Sequence, residues 1–196
     1  MGSQQQTNTA ELTPNREKFI GWMVIGWVVA GAIGIVLSWA FGDSLIGDAM
    51  GWVIGGTIGG LVTGYALTLI KAPVQGKQVT VLALGWAINL AFFEAIVGAL
   101  GETLNMALSW PLGWAIAGAI GGWVTGYALT LQQSHLQKKQ LALMILGITM
   151  GWAIGGTIAG AMGDALSWTI GWAIVGATHG GMLLWCFNPP KFNFRA

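Results

Sequence analysis

Residues 59–69 read GGLVTGYALTL and residues 121–131 read GGWVTGYALTL, so ten of eleven letters match at a distance of 62 positions. A segment of this length that occurs twice with almost the same sequence indicates an internal repeat. Each copy ends an apolar run that opens with a Gly-Trp pair, at 51–52 in one case and at 113–114 in the other. The rest of the chain can be organised around these pairs.

The composition places most of the chain in lipid. Of its 196 residues, 55% are hydrophobic and only 8% are charged, whereas a soluble domain carries about 25% charged residues. The net charge of +1 predicts no nucleic-acid partner, and the single cysteine, Cys186, excludes an internal disulfide. We therefore expect an integral membrane protein whose first partner is the lipid bilayer.

Six apolar stretches have about 20 residues each, enough to cross about 30 Å of hydrocarbon as a helix. They cover residues 19–42, 50–70, 79–101, 111–131, 141–163 and 165–187. Because only the turn GDALSW joins the last two, these form a tight hairpin or a partly re-entrant pair. The sequence predicts an all-α fold, an integral membrane bundle of six transmembrane helices.

The Gly-Trp pairs divide the membrane domain, 19–187, into three hairpins. The even stretches align on the pairs at 51–52, 113–114 and 171–172, and the odd stretches on those at 26–27, 85–86 and 151–152. The three hairpin repeats then cover about 19–71, 79–132 and 141–187. Since each holds two spans, successive hairpins keep one orientation, and the pseudo-threefold axis runs along the membrane normal.

Charge differs between the two ends of such a bundle. With six spans all basic residues share one side: Arg16, Lys18, Lys71, Lys77, Lys138, Lys139, Lys191 and Arg195. The opposite loops hold only acidic residues: Asp43, Asp48, Glu102 and Asp164. The positive-inside rule then places both termini in the cytoplasm. Six tryptophans near the acidic ends are predicted to form an interfacial belt: Trp39, Trp52, Trp110, Trp114, Trp168 and Trp172.

The two terminal segments are predicted to lie outside the membrane. Residues 1–18 are polar and lack the apolar run of a signal peptide. We expect a disordered cytoplasmic tail there, apart from its last few residues, and a second cytoplasmic tail over 188–196.

Glycines recur every four residues on the predicted helices, so they line one face. The stripes comprise Gly51, Gly55 and Gly59; Gly56, Gly60 and Gly64; Gly118, Gly122 and Gly126; and Gly151 and Gly155. In lipid, helices associate by close packing, for which small residues are suited. Two stripes on one helix predict two close neighbours, either within the monomer or in other subunits.

Glu94, in INLAFFEAIVGAL, is the one acidic residue inside a predicted span. A carboxylate in hydrocarbon costs several kcal/mol unless it is protonated, paired or hydrated. Three roles are open: a hydrogen-bonding link between helices, an ion or proton site, and ligation of a cofactor. LAFFEAIVGAL resembles the ion-carrying helix of the rotary ATP synthase ring subunit, and only Glu94 would be carried over, as the ion-binding carboxylate. Six spans and the loop KAPVQGKQ depart from that family, so we interpret the likeness as local.

His179, in GATHGG, breaks the repeat, because the other hairpins have Gly59 and Gly121 at its place. A buried imidazole can hydrogen-bond a neighbouring helix, ligate the metal of a porphyrin-type pigment or transfer protons. Direct pairing with Glu94 is disfavoured, since counting along the helices puts the two about 10 Å apart in depth.

The chain resembles the uncharacterised Gly-Trp-rich repeat proteins of photosynthetic bacteria, which implies a bacterial plasma or photosynthetic membrane. No phosphate-binding loop, nucleophile elbow or metal-ligand spacing is found, so we expect no catalytic residue, no metal site and no enzyme. The leading hypothesis is a glycine-zipper protein that packs against itself or inside a larger membrane complex and holds a pigment or lipid through His179 or Glu94. The alternative is a small channel or ion-coupled carrier that uses Glu94.

Overall fold

The computed structural model describes residues 4–41, 45–131 and 137–187; of residues 4–15, Leu45, Met106, Ala107 and Met162 it describes the backbone alone. These ranges form six helices: α1 (Gln4–Phe41), α2 (Leu45–Leu69), α3 (Gly76–Thr103), α4 (Met106–Thr130), α5 (Lys138–Met162) and α6 (Ala165–Phe187). All six are long and apolar enough to cross a membrane. The predicted all-α bundle of six membrane helices is confirmed.

The α5–α6 connection is a tight hairpin rather than a re-entrant pair, because both helices carry a full apolar span, of 24 and 23 residues. Gly163 ends α5 with a φ of 68°, a left-handed conformation that glycine adopts easily. The Asp164 carboxylate then accepts a hydrogen bond of 2.7 Å from the backbone N–H of Ser167 and caps α6. This N–H, together with the Ser167 side chain, lowers the pKa of Asp164.

The helices form a closed ring in chain order. Each packs chiefly against its two neighbours in the chain, and α6 closes the ring on α1. The helices alternate in direction, so the ends of the ring differ in charge. One end, the basic end, holds Arg16, Lys18, Lys71, Lys77, Lys138 and Lys139, whereas the other, the acidic end, holds Asp48, Glu102 and Asp164.

The six Gly-Trp pairs that align the helices place their glycines at the contact between the two helices of each hairpin. A Cβ at Gly26 would overlap Val62 of α2, and one at Gly85 would overlap Val124 of α4. In the third hairpin Gly171 lies against the carbonyl of Gly155. The next residue is rotated by about 100° on the helix. That rotation turns each tryptophan from the hairpin contact toward the axis of the ring.

A second set of glycines lies between hairpins. A Cβ at Gly56 would be 2.9 Å from Cα of Ala87 on α3, and one at Gly118 would be 3.0 Å from Cα of Thr149 on α5. Gly176, at the equivalent place, would be 2.8 Å from Cα of Val24 on α1. The two glycine stripes of α2 therefore face two different helices of the same chain, α1 and α3.

Six tryptophans, one from each helix, fill the axis of the ring in two layers. The rings of Trp27, Trp86 and Trp152 have centroids 4.8–5.4 Å apart. Those of Trp52, Trp114 and Trp172, nearer the acidic end, are 5.6–6.1 Å apart. All six side chains are at most 4% exposed. The axis is therefore closed by aromatic rings in the part of the chain that the structure describes.

The predicted interfacial belt of tryptophans is wrong for half of its members. Trp39 is 73% exposed and fits the belt, but Trp52, Trp114 and Trp172 form the second layer of the core. Trp110 packs 6.3 Å from Trp168, and both are half-buried. Packing against the other indoles, rather than contact with the lipid headgroups, determines where these rings lie.

The N-terminal segment differs from the expected disordered tail. Helix α1 begins at Gln4, so helical backbone runs through most of the opening 1–18 segment that we expected to be disordered. The apolar part of α1 spans Arg16–Phe41. The predicted tail over 188–196, as well as Asp43, lies outside the described residues.

Replacing Gly60 by leucine is expected to destabilise the bundle. A Cβ at Gly60 would lie 2.6 Å from Cα of Ala83, so α2 and α3 must separate, at an expected cost of about 3 kcal/mol or more. Gly98→Leu is the matched control, because no atom lies within 4 Å of its Cβ position; it should change stability by less than about 1 kcal/mol. Unfolding in a denaturing-detergent titration measures both, and equal stability of the two variants would contradict the packing described here.

Candidate functional site

Glu94 lies on α3 and faces the crevice between α2 and α3. Its Oε1 accepts a hydrogen bond of 3.0 Å from Nε1 of Trp52, in the second tryptophan layer. The side chain is half-buried, and it lies nearer the acidic end than Trp86 of the same helix. The carboxylate therefore links α3 to the aromatic core, which is the first of the three roles that the sequence left open.

The other two crevices between hairpins lack such a carboxylate. Glu94 follows Trp86 by eight residues, and the equivalent residues are Ile35 on α1 and Gly160 on α5. On the even helix, Asp48 precedes Trp52 by four residues, where the other hairpins have Trp110 and Trp168. Two carboxyl-bearing residues thus share one crevice at positions that hold indole, aliphatic or glycine residues elsewhere. At the α4–α5 crevice, Trp110 occupies the space over Gly160.

His179 lies inside the core at the level of the first tryptophan layer. It is 0% exposed, and its ring centroid is 5.6 Å from that of Trp27 and 5.3 Å from that of Trp86. Its Nε2 is 3.5 Å from the hydroxyl of Thr125, which itself accepts a hydrogen bond of 3.2 Å from Nε1 of Trp86. Nδ1 has no hydrogen-bond partner among the described residues. The ring thus acts chiefly as a packed aromatic group.

The repeat explains why a histidine fits at this place. Trp27 lies over Gly59 and Trp86 lies over Gly121, since a Cβ on either glycine would collide with the indole. In the third hairpin Trp152 instead stacks on Trp86, at 4.9 Å and 19° between planes. His179 holds the equivalent place in the third hairpin and packs against Trp27 and Trp86.

Ligation of a porphyrin-type pigment by His179 has no room in this arrangement. The rings of Trp27 and Trp86 lie against the imidazole, so a porphyrin could reach it only by displacing them. Cavities of about 560 and 180 Å³ lie near the acidic end, and other residues line them. Glu94 and His179 each bond a different residue, Trp52 and Thr125, and no contact joins them among those described.

Two polar residues inside the bundle have a larger role than the sequence showed. The Asn89 side chain is buried and its Nδ2 donates a hydrogen bond of 2.8 Å to the carbonyl of Ala117, which joins α3 to α4. Thr125 bridges Trp86 and His179. The spacing from the Gly-Trp pairs is a signal that could have found both, because it places them on the inner face.

The other threonines of the spans bond their own helix, as expected of threonine in lipid. Their hydroxyls donate to carbonyls three or four residues earlier: Thr57, Thr63, Thr68, Thr80, Thr103, Thr130, Thr149, Thr157, Thr169 and Thr178. Their hydroxyl protons are thereby used within the helix.

Comparison with known proteins adds no relative. No protein-family model, no curated protein and no solved structure matches this chain.

Replacing His179 separates a packing role from ligation. His179→Phe keeps an aromatic ring and removes an unpaired buried nitrogen, so stability should change by less than about 1 kcal/mol. His179→Gly restores the residue of the other hairpins but leaves a cavity beside Trp27 and Trp86, at an expected cost of about 3 kcal/mol or more. Detergent titration followed by near-ultraviolet circular dichroism measures both. A visible absorption band in the wild type that His179→Phe lacks would instead establish ligation.

Proposed function

We propose that this protein is a non-enzymatic accessory subunit of a membrane complex, which acts by presenting a rigid, closed helical body to its partners. The observation that carries the proposal is the aromatic core: six indoles close the axis of the ring. A body closed in this way has no path for a solute through its centre. Its outer, lipid-facing surface is then what remains for function.

The packing of the glycines favours contact with other proteins over assembly through glycine stripes. Gly56, Gly60 and Gly64 already face α3, and Gly118 and Gly122 face α5 of the same chain. These surfaces are consequently used within the monomer. The outer surface carries large apolar side chains on every side of the ring, among them Ile25, Leu84 and Leu146, which a neighbouring transmembrane helix can cover as well as lipid can.

The proposed location is a bacterial plasma or photosynthetic membrane, with both termini on the cytoplasmic side. The likeness to Gly-Trp-rich proteins of photosynthetic bacteria supports the membrane type. The gathering of lysine and arginine at the basic end supports the orientation.

Site-specific photocrosslinking tests the proposal. A photoreactive phenylalanine analogue is placed at Ile25, Leu84 or Leu146, which lie on α1, α3 and α5 and are 54–61% exposed. An accessory subunit should crosslink to a different membrane protein from one of these positions and not from the other two, because a partner covers one side of the ring. The three positions serve as controls for one another.

Two results would overturn it. Crosslinks only between copies of the chain would establish self-assembly instead. Crosslinks to lipid alone from all three positions, in native membranes, would show that no partner protein contacts the outer surface.

The crevice that holds Asp48 and Glu94 favours one other function, an ion-coupled carrier. A half-buried carboxylate at membrane depth is a candidate ion or proton site by default. The hydrogen bond from Trp52 supplies a structural reason for the same residue. On the side of Glu94 toward the basic end, Asn89 donates to the carbonyl of Ala117, and Thr57 and Thr63 donate to carbonyls of their own helix, so these donors are already used.

Two substitutions of Glu94 separate these functions. Glu94→Gln keeps an oxygen that accepts from Trp52, so stability should stay within about 1 kcal/mol of the wild type; Glu94→Met leaves the indole N–H unpaired and should cost about 1–3 kcal/mol. Under the accessory-subunit proposal, proteoliposomes of all three proteins show no proton or sodium flux above protein-free liposomes. Flux in the wild type that Glu94→Gln abolishes would establish the carrier and refute the proposal. Flux that Glu94→Gln retains would remove Glu94 from transport.

A further inference from the structure

Two grooves open beside the α5–α6 turn at the acidic end. One, of about 560 Å³, lies between α4 and α5, with Trp110, Gly160 and Ala161 in its lining. The other, of about 180 Å³, lies between α6 and α1, with Ile35 and Val36 in its lining. Gly163 and Trp168 line both grooves, so the two meet at the turn.

The repeat relates the two grooves to each other. Counted from the Gly-Trp pairs, Trp110 of the first corresponds to Trp168 of the second, and Ala161 corresponds to Val36. A feature built at two of the three equivalent crevices is more than a local packing defect. At the third crevice the corresponding residues are Asp48 and Ala95, beside Glu94, and that crevice is the one with carboxylates.

The chemistry of the walls points to hydrocarbon. The Thr157 hydroxyl donates to the carbonyl of Ala153 at 2.6 Å, and the Thr169 hydroxyl donates to the carbonyl of Ala165 at 2.7 Å. Nε1 of Trp110 donates to the carbonyl of Gly156 at 3.1 Å. With these groups already bonded, the walls present methyl, methylene and indole surface, which suits an acyl chain.

The grooves are continuous with the lipid-facing surface of the bundle. Val36 and Trp39 at the rim of one groove, and Thr157 and Ala161 at the rim of the other, are exposed. An acyl chain can therefore enter either groove from the bilayer without any movement of a helix.

Charge at the meeting point of the grooves selects the headgroup. Asp164 follows Gly163 directly and is exposed, so it is ionised at neutral pH, and the N–H of Ser167 lowers its pKa. Among the described residues the acidic end carries no lysine or arginine to attract an anionic lipid. A headgroup with an ammonium group complements this carboxylate.

We propose that the two grooves bind a zwitterionic phospholipid with an ammonium headgroup, its acyl chains lying on either side of the α5–α6 turn and its ammonium group facing Asp164. This lipid site goes beyond the accessory-subunit role. It would exist whether or not a partner protein covers the outer surface.

Native mass spectrometry of delipidated, full-length protein tests the site, with phosphatidylethanolamine and phosphatidylglycerol of the same acyl chains as probes. The wild type should retain one phosphatidylethanolamine in preference to phosphatidylglycerol. Ala161→Phe fills the larger groove and should weaken retention about tenfold, the effect of excluding about two methylene groups. Ala95→Phe is the matched control, because Ala95 holds the equivalent exposed place at the crevice with carboxylates, and it should bind like the wild type.

Asp164→Asn tests the headgroup separately. Asparagine still caps a helix, so the fold is kept while the charge is lost, and the preference for phosphatidylethanolamine should fall several-fold. Equal retention by Ala161→Phe and the wild type would overturn the groove assignment. An unchanged preference in Asp164→Asn, or a wild-type preference for phosphatidylglycerol, would overturn the headgroup assignment. None of these results depends on crosslinking to a partner protein.

Discussion

Six indole rings have to share one narrow axis, and the rest of the fold depends on making room for them. Hydrophobic burial does not drive helices together in lipid, so stability comes from close packing. The largest side chain can sit at the centre only where a neighbouring helix has no side chain. Gly59 and Gly121, which have no side chain, leave space beneath Trp27 and Trp86, and Gly156 leaves space for Trp114. A glycine on one helix thus makes the space that a tryptophan on another helix fills.

The same constraint explains how much of the architecture the sequence could show. Six of the eight Gly-Trp pairs, one on each helix, turn the glycine toward the other helix of the hairpin and the tryptophan toward the axis. The pairs at 21–22 and 122–123 do not, since Trp22 and Trp123 are exposed. The position of Trp52 fits two environments, because an interfacial ring and a core ring can both lie about two turns from a helix end. Spacing alone does not distinguish them. The burial of Trp52 depends on all six helices meeting in a ring, a property of no single stretch.

The candidate site was only partly predictable for a similar reason. Glu94 and His179 stood out as breaks in the repeat, and both occupy special places in the structure. Their partners did not stand out. Trp52 is 42 positions from Glu94 and Thr125 is 54 positions from His179, so each pair forms only when the order of helices around the ring is known. Symmetry identifies which residues differ, whereas packing determines what the difference does.

The core also contains polar groups that make no hydrogen bond. The indole N–H groups of Trp27, Trp114, Trp152 and Trp172 have no hydrogen-bond partner among the described residues. Several of these rings meet edge to face, with Trp172 at 88° to both Trp114 and Trp152, an arrangement that aromatic pairs favour. The N–H groups of the core are therefore enclosed by aromatic faces and edges, and the exposed surface of the bundle consists of its outer side chains and the grooves at the acidic end.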